Sequence, residues 1–228
     1  MLFILGTITN MNYVFKNAQG LKLAGKFYSP SGSGPFPTVV FAHGFDSSKD
    51  SPRSIPLASA LAEDCIACFL FDFTGHGESE GTKEASTIEQ QTCDLKAAVD
   101  FIRMQPKVDE TRLALHGSSS GCLVVLNLCL FDKRPRTAVL RAPRTDGYLP
   151  TVKGQAAMIT IPLYFIQGEN DPLLEETKDF YGSLQTESEL VVVPGADHLF
   201  TEPVHLDEVI ELSTNWFEEK LHLEEKAA

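Results

Sequence analysis

Short apolar runs recur along this chain, and stretches of helical spacing separate them. Thr38–Ala42, Ile66–Phe71, Leu113–Leu115, Thr137–Leu140, Ile161–Ile166 and Glu189–Val193 are runs of this kind. A continuous apolar run of that length reads as a strand covered on both faces. Between them, Ser54–Ala62 and Thr87–Met104 carry apolar residues at helical intervals, Cys122–Leu130 is an apolar, helix-compatible run, Leu173–Leu184 reads as a helix, and Val204–Leu223 is a closing amphipathic helix. Near the start, Tyr13–Phe15 and Leu21–Tyr28 alternate apolar and polar around Asn17-Ala-Gln-Gly20, the pattern of a hairpin. The alternation predicts the α/β class: a mostly parallel, twisted sheet of about eight strands with helices on both faces. A chain of 228 residues, 43% hydrophobic and without internal repeat or linker, reads as a single domain over residues 1–228.

In such sheets ligands bind beyond the carboxyl ends of the strands. His43, Asp72, Ser119, Asp171 and His198 each fall just after a predicted strand. The sharpest signal is the second half of Leu113-Ala-Leu-His116-Gly117-Ser-Ser-Ser-Gly121, with the helical run from Cys122 following at once. This is a G-x-S-x-G elbow in its required context of strand, sharp turn and helix. A nucleophile on such a turn holds a strained backbone. The residues two places either side must be nearly free of side chain for strand and helix to close together. Gly117 and Gly121 meet that need and make Ser119 the nucleophile by register, with Ser118 and Ser120 as neighbouring candidates.

A serine hydroxyl is a poor nucleophile until a base takes its proton. His198 follows the last strand in Pro194-Gly-Ala-Asp-His198. The chain order Ser, Asp/Glu, His favours it over His43, His76, His116, His205 and His222. Asp171, in Gly168-Glu-Asn-Asp171-Pro172, lies between the two and fits the acid that holds the base in the right tautomer. The same Asp-Pro pair also reads as a helix N-cap with Pro at the first position. Asp146 and Glu169 are alternatives for the acid, and Asp197 reads as a residue that fixes its loop. Donors for a developing oxyanion are expected at the backbone N–H groups of Ser120 and Phe45, with Gly44 letting the second loop come close. Asp72 reads as a brace for the neighbouring loop. Phe45, Phe73 and Tyr148 are candidates to line a pocket or simply to pack. Arg141 and Arg144 read either as surface arginines or as an attraction for a substrate carboxylate.

The formal net charge is −12, which repels phosphate backbones and anionic lipid, so neither nucleic acid nor a membrane surface is an expected partner. No run approaches the roughly 18 apolar residues of a membrane span. Met1–Leu5 is apolar but short for a signal-peptide core. Five cysteines in apolar or helical surroundings argue for free thiols and a reducing, cytoplasmic setting. Cys65 and Cys68 have C-x-x-C spacing without a second pair, and Cys68 falls within an apolar strand. No metal-ligand spacing and no phosphate-cradling loop with a Lys is present, so no cofactor is expected.

Together, His43-Gly44-Phe45, Asp72-Phe-Thr-Gly-His-Gly-Glu-Ser79, Gly117–Gly121, Gly168–Asp171 and Gly195–His198 resemble the α/β-hydrolase superfamily. The closest resemblance is to small serine esterases, such as the cinnamoyl and feruloyl esterases and serine-aminopeptidase-like hydrolases. It spans nearly the whole chain. It implies an α/β-hydrolase fold and carboxylic-ester hydrolysis through an acyl-enzyme, with Ser119, Asp171 and His198 as triad and a small-molecule ester as substrate. Two departures stand out. The nucleophile is flanked by Ser where many relatives carry His or Gln. Residues 141–160 are too few for the helical lid that relatives often insert there, so an open, shallow site suited to small or exposed esters is expected. A missing lid could also leave apolar surface for a second subunit of a homo-oligomer to cover. A peptidase, thioesterase or acyltransferase with the same triad, and a non-catalytic binding module on the same fold, are the alternative readings.

Overall fold

The computed structural model describes residues 8–144 and 154–221. The predicted hairpin is β1 (Thr9–Lys16) and β2 (Lys22–Ser29), paired antiparallel. There follow β3 (Phe36–Ala42), α1 (Ile55–Glu63), β4 (Ala67–Phe71), α2 (Ile88–Ile102), β5 (Val108–Ser118), α3 (Ser120–Phe131), β6 (Thr137–Arg141), β7 (Leu163–Gly168), α4 (Leu174–Tyr181), β8 (Ser188–Val193) and α5 (Pro203–Leu221). The strands form one eight-stranded sheet in the order β1-β2-β4-β3-β5-β6-β7-β8. β2 meets β4 antiparallel, and every pair from β4 to β8 is parallel. This is the α/β-hydrolase fold.

Side chains alternate across each strand, so every buried strand feeds two cores. Val40, Leu115 and Leu140 pack with Leu95 of α2 and Leu126 of α3 on one face. Val39, Ala114 and Val139 pack with Leu57 of α1 and Phe217 of α5 on the other. The helix starts follow local chemistry. The Thr87 hydroxyl accepts the Gln90 N–H at the head of α2, and Pro56 sits in the first turn of α1, where no donor is missed.

From β3 the chain steps to β4 on one side and from β4 back to β5 on the other. Loops leaving β3 and β5 therefore diverge, which opens a crevice at their carboxyl ends. Both the Gly44 loop and the serine elbow leave from that crevice.

Some boundaries differ from the sequence expectation. β5 begins at Val108, five residues before the apolar run, because Phe36 pairs with Val108 across a register shift and an Asp109–Arg112 ion pair holds the polar segment. α4 stops at Tyr181 rather than Leu184, since Gly182 ends it. Of the 141–160 connection, residues 145–153 lie outside the described part, and so does the lid expectation that falls on them. Ala156–Met158 forms a single short helical turn.

Candidate active site

The elbow is built as its glycines require. Ser119 has φ 54° and ψ −122°, a left-handed conformation that a side chain rarely adopts. A Cβ on Gly117 would lie 2.6 Å from Cys122 Cα, and one on Gly121 would lie 2.3 Å from the Ala42 carbonyl oxygen. Neither position has room for any other residue. The turn is held by the Ser119 N–H, which donates to the Arg141 carbonyl at 3.0 Å.

Ser119 Oγ lies 3.0 Å from His198 Nε2, and His198 Nδ1 lies 2.6 Å from Asp171 Oδ2. Three loops, after β5, β7 and β8, bring these side chains together. Asp171 is buried and its carboxylate is well supplied with donors. Oδ1 accepts the Leu173 N–H at 2.9 Å, which is the helix-capping role, and Oδ2 accepts the Gln167 Nε2 amide as well as His198. Capping and contact with the histidine are thus shared by one carboxylate.

The alternatives fall elsewhere. Glu169 accepts the Gly195 N–H, Asp197 accepts from the Thr201 N–H and hydroxyl, and Ser118 Oγ accepts from Arg141. Asp146 and Tyr148 lie outside the described residues. Ser120 opens α3, so its N–H is among the four with no acceptor inside the helix. The Phe45 loop passes close to the elbow: a Cβ on Gly44 would sit 3.1 Å from Ser119 Cβ.

His43 and Asp72 form a scaffold under these loops. His43 Nδ1 contacts the Gly44 carbonyl at 2.8 Å, and its Nε2 accepts the Phe73 N–H at 3.2 Å. Burial, helped by the neighbouring His76, lowers the His43 pKa to about 4. Asp72 accepts the Lys49 and Glu78 N–H groups and pairs with the Lys49 ammonium at 3.2 Å, tying the loop after β3 to the loop after β4.

Of the two readings of Phe73 the structure takes packing, and the surface reading of Arg141 is corrected. Phe73 does not line a pocket: it is fully buried and packs edge-on against Phe71. Arg141 is not a surface residue. It is 3% exposed, at the end of a strand that is buried throughout, and donates to the Arg53 carbonyl in the segment before α1. Arg144 donates its N–H to the Ser119 carbonyl at 3.2 Å. Gln167 is a residue that sequence reasoning missed, although a lone amide in Leu163-Tyr-Phe-Ile-Gln-Gly168 was a signal.

Beside Ser119 and His198 lies a small cleft of about 80 Å³, bordered also by Phe45, Arg53, Arg141 and Leu199. A wider groove of about 520 Å³ between β1 and α2, lined in part by Cys93, Lys96 and Asp100, touches none of these residues. Among the described residues no helix is long and apolar enough to cross a membrane.

This fold and elbow define an α/β hydrolase. Residues 33–150, just over half the chain, match the family described as serine aminopeptidase, S33 (Hydrolase_4), and the chain belongs to it. A putative phosphoribosyl transferase, MT0597, of Mycobacterium tuberculosis (strain CDC 1551 / Oshkosh) is 30% identical over 181 residues, which is 78% of this chain and 40% of that protein. The thiohydrolase aneE of Aspergillus aculeatus is 35% identical over 135 residues, 58% of this chain and 41% of that one. The chain thus spans about two fifths of the length of these relatives. Among solved structures, the dienelactone hydrolase of Anabaena variabilis superposes with a TM-score of 0.81 at 26% identity, covering 94% of this chain and 99% of that one.

Proposed function

We propose that this chain is a serine hydrolase that cleaves carboxylic esters through an acyl-enzyme. The observation that carries the proposal is the Ser119 Oγ to His198 Nε2 to Asp171 relay, at 3.0 and 2.6 Å. Ser119 Oγ attacks the ester carbonyl and gives its proton to His198 Nε2. Asp171 keeps the ring oriented and stabilises the imidazolium. The N–H groups of Ser120 and Phe45 hold the oxyanion. Collapse expels the alcohol, which takes the proton from His198. Water then repeats the sequence on the acyl-Ser119 ester, leaving the free acid and the resting serine. A cleft of this size favours short or exposed acyl groups.

The test is turnover of p-nitrophenyl acetate and butyrate, with labelling by a fluorophosphonate. Ser119→Ala should abolish labelling and lower kcat by about 10⁴-fold or more. A Ser119→Ala chain as active as the parent would end the proposal. Thioester cleavage is the second reading, favoured by the 35% identity to a thiohydrolase. It uses the same acyl-enzyme, and S-acetyl-N-acetylcysteamine in the same assay separates the two.

A further inference from the structure

Arg141 is a charge in an unusual place. It lies at the carboxyl end of β6, 3% exposed, on the border of the cleft that holds Ser119. Its guanidinium gives Nη1–H to the Arg53 carbonyl at 2.9 Å and Nη2–H to Ser118 Oγ at 2.6 Å. Both acceptors are neutral. A guanidinium has five N–H donors, so these two bonds leave part of the fork unmatched. Among the described residues no carboxylate forms an ion pair with Arg141.

A buried cation without a counter-ion is costly, because the interior does not replace the water it gave up. Burial lowers the Arg141 pKa to about 10, and the nearby charge of Arg53 pushes the same way. It is still protonated at neutral pH. Arg53 borders the same cleft and likewise shows no ion pair among the described residues. The chain as a whole carries a formal charge of −12, yet among the described residues bordering this cleft the Lys, Arg, Asp and Glu side chains are two arginines and no carboxylate. Ser118, whose Oγ accepts from Arg141, borders the same cleft, and its hydroxyl is a further candidate donor.

We propose that Arg141, with Arg53 and the Ser118 hydroxyl, forms a carboxylate-binding subsite beside Ser119, and that the preferred substrates are esters bearing a carboxylate on the acyl or the alcohol portion. This deepens the ester-hydrolase reading and rests on it. The planar fork of Arg141 matches a carboxylate in shape and in donor spacing. The bound anion supplies a counter-charge that no described residue gives Arg141. The small volume suits a compact anionic group, and the exposed Phe45 and Leu199 at the border leave an apolar surface for the rest of the substrate.

The experiment reads a ratio. Phenyl acetate and 4-acetoxybenzoate differ by a carboxylate on the alcohol side. Methyl butyrate and monomethyl succinate differ by one on the acyl side. Wild-type enzyme at low salt should favour the anionic member of one pair by at least about tenfold in kcat/KM, the size of a charge-assisted bond. Arg141→Met should bring that ratio to about one or below, and Arg53→Gln should lower it several-fold. Each ratio is taken within one enzyme, so a general loss of activity or of folded protein cancels. Should Arg141→Met not fold, the Arg53→Gln ratio and its decline with added NaCl in the wild type decide the matter. Calorimetric titration of the wild type with benzoate and with succinate separates the two readings. Anion binding with no ester turnover upholds the subsite and ends the ester reading. Ester turnover with neutral substrates preferred in both pairs, or ratios unchanged in both variants, overturns the subsite and leaves the ester reading standing.

Discussion

Gln167→Leu tests whether the carboxylate beside His198 needs its amide neighbour. Gln167 is fully buried at the end of β7, donates through Nε2 to Asp171 Oδ2, and accepts the Thr177 hydroxyl at 3.1 Å through Oε1. Leucine fills similar space but removes both bonds. Asp171 then keeps two of its three donors, the Leu173 N–H and His198. A hydrogen bond to a charged group contributes about 1.5–3 kcal/mol. If the transition state, in which His198 becomes charged, feels all of it, kcat falls about 10- to 100-fold. KM should stay within about twofold, since Gln167 does not border the cleft. Stability should fall by about 1–3 kcal/mol, because the buried Thr177 hydroxyl loses its partner. The assay is p-nitrophenyl acetate turnover per active site titrated with a phosphonate, so that unfolded protein does not count. A Gln167→Leu enzyme with parental kcat per titrated site would refute the reasoning and assign the orientation of Asp171 to its backbone donor alone.

Other expectations follow from the scaffold. His43 is 5% exposed and both its ring nitrogens are engaged as a neutral ring, with Nε2 accepting an N–H that a protonated ring would face donor to donor. Its folded pKa of about 4 lies below the unfolded 6.5, so the unfolded chain takes up the proton first as pH falls. Stability from this group is full above pH 6.5 and is lost towards pH 4, by about 3 kcal/mol at about 1.4 kcal/mol per pH unit. Urea midpoints measured across that window check this, and a His43→Gln chain with an unchanged slope would count against it. Gly121→Ala drives a methyl to 2.3 Å from the Ala42 carbonyl oxygen, so it should lower Tm by about 2–10 °C. A melting curve matching the parent would show that the crossing of β3 and the elbow yields more than its geometry suggests.

The parts of the site legible in the sequence were those fixed by backbone sterics or by chain order. Gly117 and Gly121 announce a contact that no side chain can share, which singles out Ser119 between them. Asp171 and His198 follow strands in the order the elbow architecture demands, and the structure brings both within hydrogen-bond reach of their neighbours. What could not be read was burial at strand ends. Arg141 and Arg144 look alike in sequence, three residues apart after the same apolar run. Only the tertiary placement of the segment before α1, whose Arg53 carbonyl meets the guanidinium, tells them apart. The polar start of β5 was missed for a related reason: its extended form comes from a partner strand, not from its own pattern. Strand order was likewise beyond periodicity, since each crossover depends on which face its helix covers.

The end of β6 joins the two halves of the site. A non-glycine residue with the backbone of Ser119 stores about 1–3 kcal/mol of strain, which persists only when its surroundings over-determine it. Three backbone bonds do so here. The Ser119 N–H donates to the Arg141 carbonyl, and the Ser119 carbonyl accepts from Cys122 and from Arg144. Arg141 therefore grips the strained turn with its main chain while its side chain reaches Ser118 and the loop before α1. One residue thus contributes both to holding the hydroxyl in position and to the charge bordering the cleft. A side-chain replacement at 141 leaves the backbone clamp in place. Its effect on charge preference can then be separated from any effect on the elbow.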